Sequence, residues 1–520
     1  MVSELSKEMI FFHSTLISRR YKSVIIGVFV GGLIAHGMAM FNHLYFHDDI
    51  AQFYGIDRGL IASGRWFLSL LSIFEKKIFC SYNYVLPLVN TLLSLVFLCL
   101  FVCLFVCAFN ITNKKLIFLL GVLCSAFPTM AGYFGYLSTT PYYIFSLVLA
   151  IGGGLYCSRG RYMVGILLMA LSISIYQAYI PFILSFFVFC IINDILSNPD
   201  ISPKEIKKNV FYYITCALSP VFVYFLTLKV SLVVTNISLT SYKGANQWST
   251  NFCDYLSRIP LAYKTFFDVD MGLFPLWIKV LFYLSLLFLV CRIVFFVFQK
   301  NKRNALVLAS LFCFLPVTIG FIYIMCPAEI IGPLMLYSST LIFFLFVWLL
   351  DMQLKLCNDR GFKFIKYFGL FSCCVYIFAF VKYDNICYMK ASINQQRAFS
   401  YFTTLITRIR SVSGYSADKK ICYINQFNID DPTVKGRPYQ YLEHYNIPPY
   451  FDIDDYLNDY VWRDYMCFWC GFNHELADEK KFAHLSTDES MPAYPDDGSI
   501  QIVDDTIIVK LGKDNSQSYQ

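Results

Sequence analysis

Two adjacent carboxylates, Asp48 and Asp49, follow His47 in the stretch FHDDIAQFYGIDRGLIASGRW, Phe46 to Trp66. Carboxylates side by side repel, and the repulsion raises the pKa of one of them. Partly desolvated at a membrane edge, such a group can take a proton from an attacking hydroxyl. His47 is placed to assist, although a lone interfacial histidine is more often structural. Asp49 also has a plain structural reading, as the N-cap of a helix with Gln52 at its third position, a capping box. Ile50, Phe53, Tyr54, Leu60 and Ile61 would then fall near one face of a helix lying along a membrane surface. Arg58 and Arg65 follow in the same stretch. The planar guanidinium fork binds phosphate oxygens bidentately. These arginines therefore either clamp one lipid phosphate or snorkel and pair with headgroups or with Asp57. Lys76, Lys77, Lys243 and Lys264 are weaker candidates for the same task.

Short turns supply the groups that could hold sugars. PTMAGYFGYLSTTPYY (Pro128 to Tyr143) and SIYQAYIP (Ser174 to Pro181) present Tyr136, Tyr176 and Gln177. They form either an interfacial aromatic belt or a sugar-binding mouth built on stacking and hydrogen bonding. CPAEIIGP (Cys326 to Pro333) sets Glu329 in a proline-bounded turn, as a second acid or as the partner of a cation. CFWC (Cys467 to Cys470) is a lone CxxC without a thioredoxin-like βαβ around it, and reads as a local disulfide or two packed thiols. Two further ligands for a metal cannot be placed beside it. No cofactor is expected, and no full ligand set calls for a divalent ion.

The elements that must position these residues cross a membrane. Of the 520 residues, 57% are apolar and 15% charged; the mean hydropathy is +0.55. A soluble chain carries about 25% charge. Long apolar runs predict spans at about 23–42, 84–109, 116–134, 139–157, 162–177, 179–196, 210–233, 276–298, 305–325, 333–352 and 366–383, an all-α polytopic protein of about eleven helices. The fifth and sixth share one apolar stretch, broken only at YQAYIP. Basic residues sort the connections. Arg19, Arg20 and Lys22; Lys114 and Lys115; Arg159 and Arg161; Lys204, Lys207 and Lys208; Lys300, Lys302 and Arg303; and Lys355, Arg360, Lys363 and Lys366 fall on one side. The alternate short connections near 128–138, 176–181 and 326–332 carry none. By the positive-inside rule the N-terminus is cytoplasmic, the first span is uncleaved, and the tail is outside.

Nearly all the bulk then lies outside, in loops at about 43–83 and 234–275 and in the tail. Asp384–Gln520 carries 13 Lys and Arg against 20 Asp and Glu, net −7. The 29 basic and 15 acidic residues before it give +14, so a boundary is expected between domains 1–383 and 384–520. The tail reads as a small α/β domain, with a strand in ICYINQF (Ile421 to Phe427) and a hairpin in SIQIVDDTIIVKLG turning near Asp504–Asp505. Cytoplasmic connections are too short for a nucleotide-binding domain, which needs on the order of 100 residues. No GxGxxG or P-loop pattern occurs, and GGG at Gly152–Gly154 suits close helix packing. Most cysteines lie in apolar runs, where they behave as small hydrophobes. Nothing points to nucleic acid.

Nucleotide sugars and ATP are absent from the outer face. A transferase there needs a donor already activated and carried in the membrane, and a polyprenyl-phosphate sugar fits. YFHDDIAQFYG, GRWF and the SIYQAYIP turn resemble the bacterial and phage serotype-converting O-antigen glucosyltransferases of the Gtr type (GtrII-like), across most of the membrane part and weakly across the tail. The resemblance implies a GT-C fold with a periplasmic C-terminal domain, in the bacterial inner membrane. It implies undecaprenyl-phosphate-glucose as donor, lipopolysaccharide O-antigen as acceptor, and an inverting single displacement with Asp48 or Asp49 as base. It also implies two companions, a flippase for the lipid-linked sugar and a polyprenyl-phosphate glucose synthase. The chain departs from the general GT-C pattern by having Asp-Asp in place of Asp-Glu, which leaves open which carboxylate acts. The rival from another class is a polytopic transporter or lipid flippase. Transporters bury ionisable groups at mid-membrane and show internal repeats. Here the spans read as nearly free of charge, with His36 the main exception. An acyltransferase would want a catalytic histidine, for which His47 alone is a thin case.

Overall fold

The structure, a computed structural model, describes residues 19–53, 59–78, 85–240, 252–268, 275–356, 360–427, 452–458 and 461–512. The chain forms two compact units, 1–42 with 57–385, and 43–56 with 386–520. The expected boundary was between 1–383 and 384–520; the second unit begins at 386 and also takes in the stretch 43–56.

The first unit is helical. Nine helices among the described residues are long and apolar enough to cross a membrane. Two of the eleven expected spans are shorter. The run at 116–134 is Lys114–Ser125 and then Thr129–Phe134, separated at Ala126–Pro128, where proline disfavours a helical residue before it. The run at 162–177 is the 14-residue helix Tyr162–Ile175. It ends where Tyr176 turns extended (φ −152°, ψ 107°), and a 3-10 turn, Gln177–Tyr179, leads into Ile180–Ser197, so YQAYIP breaks the stretch as its sequence suggested. The helix of the last apolar run does not stop at 383. It runs on from Arg360 to Ser411, because the residues beyond the apolar run are polar without being helix-breaking.

Sequence-local signals set several starts. Asn113 accepts from Lys115 N and Leu116 N at 3.1 and 3.3 Å. Ser202 and Glu205 form a capping box ahead of Pro203. GGG packs as expected: a Cβ on Gly153 would stand 2.6 Å from the Gly165 carbonyl oxygen, so only glycine lets these helices approach.

The connections sort into two groups by their mutual bonds. In one, Arg20 donates to Asn110 Oδ1 (3.2 Å), Lys355 to Asn110 O (3.1 Å), and Asp351 accepts from the Thr112 and Asn113 amides (3.1 and 2.8 Å). Asn304 reaches the Pro199 and Ile201 carbonyls at 2.8 and 2.9 Å. In the other, Asn90 bonds Leu137 O (2.8 Å), Tyr133 bonds Leu334 O (2.8 Å), Arg258 bonds Ile324 O (3.3 Å) and Thr240 N bonds Ala62 O (2.9 Å). The basic connections thus bond one another, and so do those that alternate with them.

The second unit carries a three-stranded sheet in the order β1-β3-β2, with β1 Ile421–Ile424, β2 Ile500–Val503 and β3 Thr506–Lys510. β1 runs parallel to β3 and β2 antiparallel to it. Both expected strand segments form, and the hairpin turns at Asp504 and Asp505, whose φ values of 47° and 61° are those of a type I′ turn. Cys422, Ile424, Phe482, Met491 and Ile508 make its core.

Candidate active site

In the first unit the turn at Gly59–Gly64 aims Arg65. Gly64 has φ +81°, and a Cβ there would lie 2.6 Å from the Tyr224 hydroxyl and 2.7 Å from Gln177 Nε2, so conformation and space both demand glycine. Gln177 Nε2 donates to Ser63 O (3.2 Å) and to the Tyr224 hydroxyl (3.0 Å), and that hydroxyl donates to Gly64 O (3.2 Å). Arg65 Nη1 then donates to the Tyr143 hydroxyl at 2.9 Å. Its guanidinium carbon sits 5.8 and 5.5 Å from the rings of Tyr143 and Tyr176, which stack on each other at 4.5 Å. Each such cation–ring contact is worth about 0.5–2 kcal/mol. Behind them the Tyr179 hydroxyl donates to that of Tyr133 at 2.9 Å, and Tyr133 donates to Leu334 O at 2.8 Å. The result is a half-buried cation held against Tyr143 and Tyr176, on a turn tied to Gln177 and Tyr224, an arrangement suited to an anion.

In the second unit the carboxylate pair lies on the helix His47–Phe53. The Phe46 carbonyl accepts from Asp49 N (2.9 Å) and Ile50 N (3.1 Å). Asp49 is thus the third helical residue and not the N-cap, so the expected capping box with Gln52 does not form. Burial of Tyr45 and Phe46 anchors the chain just ahead of the helix, and carboxylates in a first turn face its positive end. Asp49 is wholly buried. The Asp48 side chain is 37% exposed, with its Oδ1 3.1 Å from His47 Nε2. Burial pushes the Tyr45 phenol up, and the nearby Asp49 charge adds to the shift. Phe53 meets Phe468 at 4.9 Å, Tyr45 meets Phe468 at 5.8 Å, and the Tyr465 hydroxyl donates to Tyr45 O at 3.2 Å. The acidic helix is therefore seated on Trp462–Cys470, the helix that contains CFWC. Cys467 and Cys470 there are free thiols.

The family described as glucosyl transferase GtrII matches residues 37–350. The chain belongs to that family. No curated protein and no solved structure matches it. The matched region of this glucosyltransferase contains Asp48, Asp49, Arg65, Tyr143, Tyr176 and Gln177.

The remaining candidates fall in different places. Arg58 and Lys243 lie outside the described residues. Tyr136 is half-buried, and its carbonyl accepts from Thr140 Oγ1 at 2.7 Å. Glu329 is exposed on the 3-10 turn Ala328–Ile330, with no partner among the described residues. Among the described residues no group of three or more His, Cys, Asp or Glu is placed to hold a metal ion.

Sequence reasoning missed Tyr143, Tyr224, Gly64 and Asp384. Tyr143 closes a stretch already singled out, so its neighbours were the available signal. Tyr224 lies mid-helix in an apolar run and announces nothing locally. Asp384 marked the end of the last apolar run, yet it is wholly buried in the continuing helix, and neither carboxyl oxygen has a hydrogen-bond partner among the described residues. His36 itself is buried, with Nε2 2.7 Å from Ser125 O.

Proposed function

We propose that this glucosyltransferase moves glucose from undecaprenyl-phosphate-glucose to a sugar of lipopolysaccharide O-antigen, on the periplasmic face of the bacterial inner membrane. The acceptor hydroxyl oxygen attacks the anomeric carbon from the side opposite the phosphate. The carbon–oxygen bond to phosphate breaks, its electron pair leaves with the lipid phosphate, and configuration inverts. Asp48 or Asp49 takes the acceptor proton. Of the two, Asp48 is the carboxylate an acceptor can reach, since Asp49 is wholly buried. Arg65, with Arg58 and Lys243, neutralises the departing phosphate. His47, Tyr136, Tyr176, Gln177 and Glu329 are the candidates for contact with sugars. Neither a metal nor a cofactor takes part. A cytoplasmic N-terminus and a periplasmic C-terminal domain complete the arrangement, with a lipid-sugar flippase and a polyprenyl-phosphate glucose synthase as functional companions.

The observation that carries this reading is the family match over residues 37–350, which includes both the acidic pair and Arg65. The transporter reading has no comparable support. The test is glucose incorporation into O-antigen in cells supplying the lipid donor, with Asp48→Asn and Asp49→Asn compared with wild type at matched membrane levels. Loss of transfer in one variant marks the base. Near-normal transfer in both would make the pair structural and move the search to Glu329. A wild type that transfers nothing would overturn the donor assignment.

A further inference from the structure

One hydroxyl proton beside Arg65 has no acceptor among the described residues. A guanidinium carries no acceptor atom, so in the 2.9 Å bond between Arg65 Nη1 and the Tyr143 hydroxyl the arginine donates and the phenol oxygen accepts. The Tyr143 O–H must then find an acceptor of its own, and none of the described residues takes it. The neighbouring hydroxyls differ. Tyr179 gives its proton to Tyr133, Tyr133 to Leu334 O, and Tyr224 to Gly64 O. Tyr143 is only 4% exposed. A buried donor left without an acceptor is costly, so such a group marks a partner that the chain does not supply.

The chemistry of that partner follows from the two groups beside it. It accepts a hydrogen bond from the phenol, next to a guanidinium bonded to the same oxygen. By donating to that oxygen, Arg65 polarises the O–H and makes it a stronger donor. A cation and a strengthened neutral donor side by side suit an oxyanion with several oxygens on one centre, as in a phosphate. The ring is held in place, stacked on Tyr176 at 4.5 Å and meeting Tyr133 at 6.1 Å. We infer that Tyr143 is a second donor to the phosphate of the lipid-linked sugar, its O–H binding one oxygen of the group that Arg65 neutralises. The inference rests on the proposed function and adds a catalytic residue to it. The phenol keeps its proton throughout. When the bond from the anomeric carbon breaks, its electron pair passes to the phosphate oxygen and the charge there rises. Both hydrogen bonds strengthen as that happens, so the larger effect falls on kcat.

The experiment uses the purified full-length protein in phosphatidylcholine nanodiscs. Binding of undecaprenyl phosphate, the donor without its sugar, is measured for wild type, for Tyr143→Phe and for a variant with a ring-fluorinated tyrosine at that position, with glucose transfer followed alongside. Phenylalanine keeps the ring contacts and loses the O–H. It is expected to raise Kd about tenfold and to lower kcat by about tenfold or more, while undecaprenol, which has no phosphate, binds as it does to wild type. Fluorine makes the hydroxyl a stronger donor and a weaker acceptor in a ring of nearly the same shape, so tighter binding of undecaprenyl phosphate is expected there. Weaker binding in both variants would mean that Tyr143 acts only by holding Arg65, and would overturn the inference. An unchanged Kd and kcat in Tyr143→Phe would overturn it as well. Phosphatidylglycerol or inorganic phosphate competing as well as undecaprenyl phosphate would overturn the assignment to the donor, leaving a general headgroup or free-phosphate site. Binding that depends on Tyr143 in a wild type that transfers no glucose would sustain the phosphate site and overturn the glucose-transfer reading instead.

Discussion

Arg65 and Asp49 are both charged groups withdrawn from water, and the chain holds them in different ways. Arg65 is fixed by bonds and ring contacts from segments far apart in sequence, at Ser63–Gly64, Tyr143, Tyr176–Gln177 and Tyr224. Asp49 sits on a seven-residue helix held by aromatic packing on one neighbouring helix. A cross-bonded cation keeps its position when one bond is lost, because the others remain. A short helix on an apolar seat depends on the fit of a few rings. In the proposed reaction the first design holds a cation still while a phosphate departs, and the second carries Asp48, the carboxylate proposed as base.

The contrast can be broken or sharpened experimentally. The largest effect is expected for Asp48→Asn, a fall in glucose transfer of about 10²–10⁴-fold with protein levels unchanged; wild-type rates would refute a role as base. Arg65→Ala is expected to lower transfer by roughly 10–100-fold and Arg65→Lys to recover part of it, because lysine keeps the charge but not the fork. Equal loss in both would place the role in ring packing and not in charge. Gly64→Ala imposes a left-handed residue and a clash together, and should cost about 1–3 kcal/mol of stability, read as a lower Tm. An unchanged Tm would mean the Gln177–Tyr224 bonds yield easily.

In the second unit burial, and then the neighbouring Asp452, push the Asp455 carboxyl up to about 8. An unfolded aspartate ionises near 3.9. Between these values the folded chain holds a proton that the unfolded chain has released, so stability is greatest below the lower value and falls as pH rises toward the higher. Asp455→Asn should flatten the decline of Tm between pH 5 and 8; parallel curves for variant and wild type would count against it. The smallest effect is expected for Glu329→Gln, less than about twofold in transfer, since an exposed unpaired carboxylate does little by itself. A loss of tenfold or more would make Glu329 the base and reverse the comparison.

Much of the fold was legible because its signals are local. Apolar runs located the helices, YQAYIP located the break at Tyr176, and Asp504–Asp505 located the hairpin turn. The last helix was cut short because hydropathy ends at Tyr383 while backbone hydrogen bonding continues to Ser411. The acidic pair and Arg65 could be picked out as residue types with stated chemistry. Their settings could not, because those depend on contacts between distant segments. Arg65 to Tyr143 spans 78 positions, and Tyr45 to Tyr465 spans 420. The capping box failed for the same reason. Gln52 stands at the right spacing, but the helix begins where Phe46 is anchored by packing.

The helix Tyr162–Ile175 has 14 residues, a length of about 21 Å, against a hydrocarbon layer of about 30 Å. Where its exposed first turns meet lipid, a bilayer accommodates the short helix by thinning locally, and elastic deformation costs a fraction of a kcal/mol for each ångström of mismatch. Turnover should therefore respond to acyl-chain length, rising in thin membranes and falling in thick ones, so that the surrounding lipid acts as a mechanical setting on the enzyme.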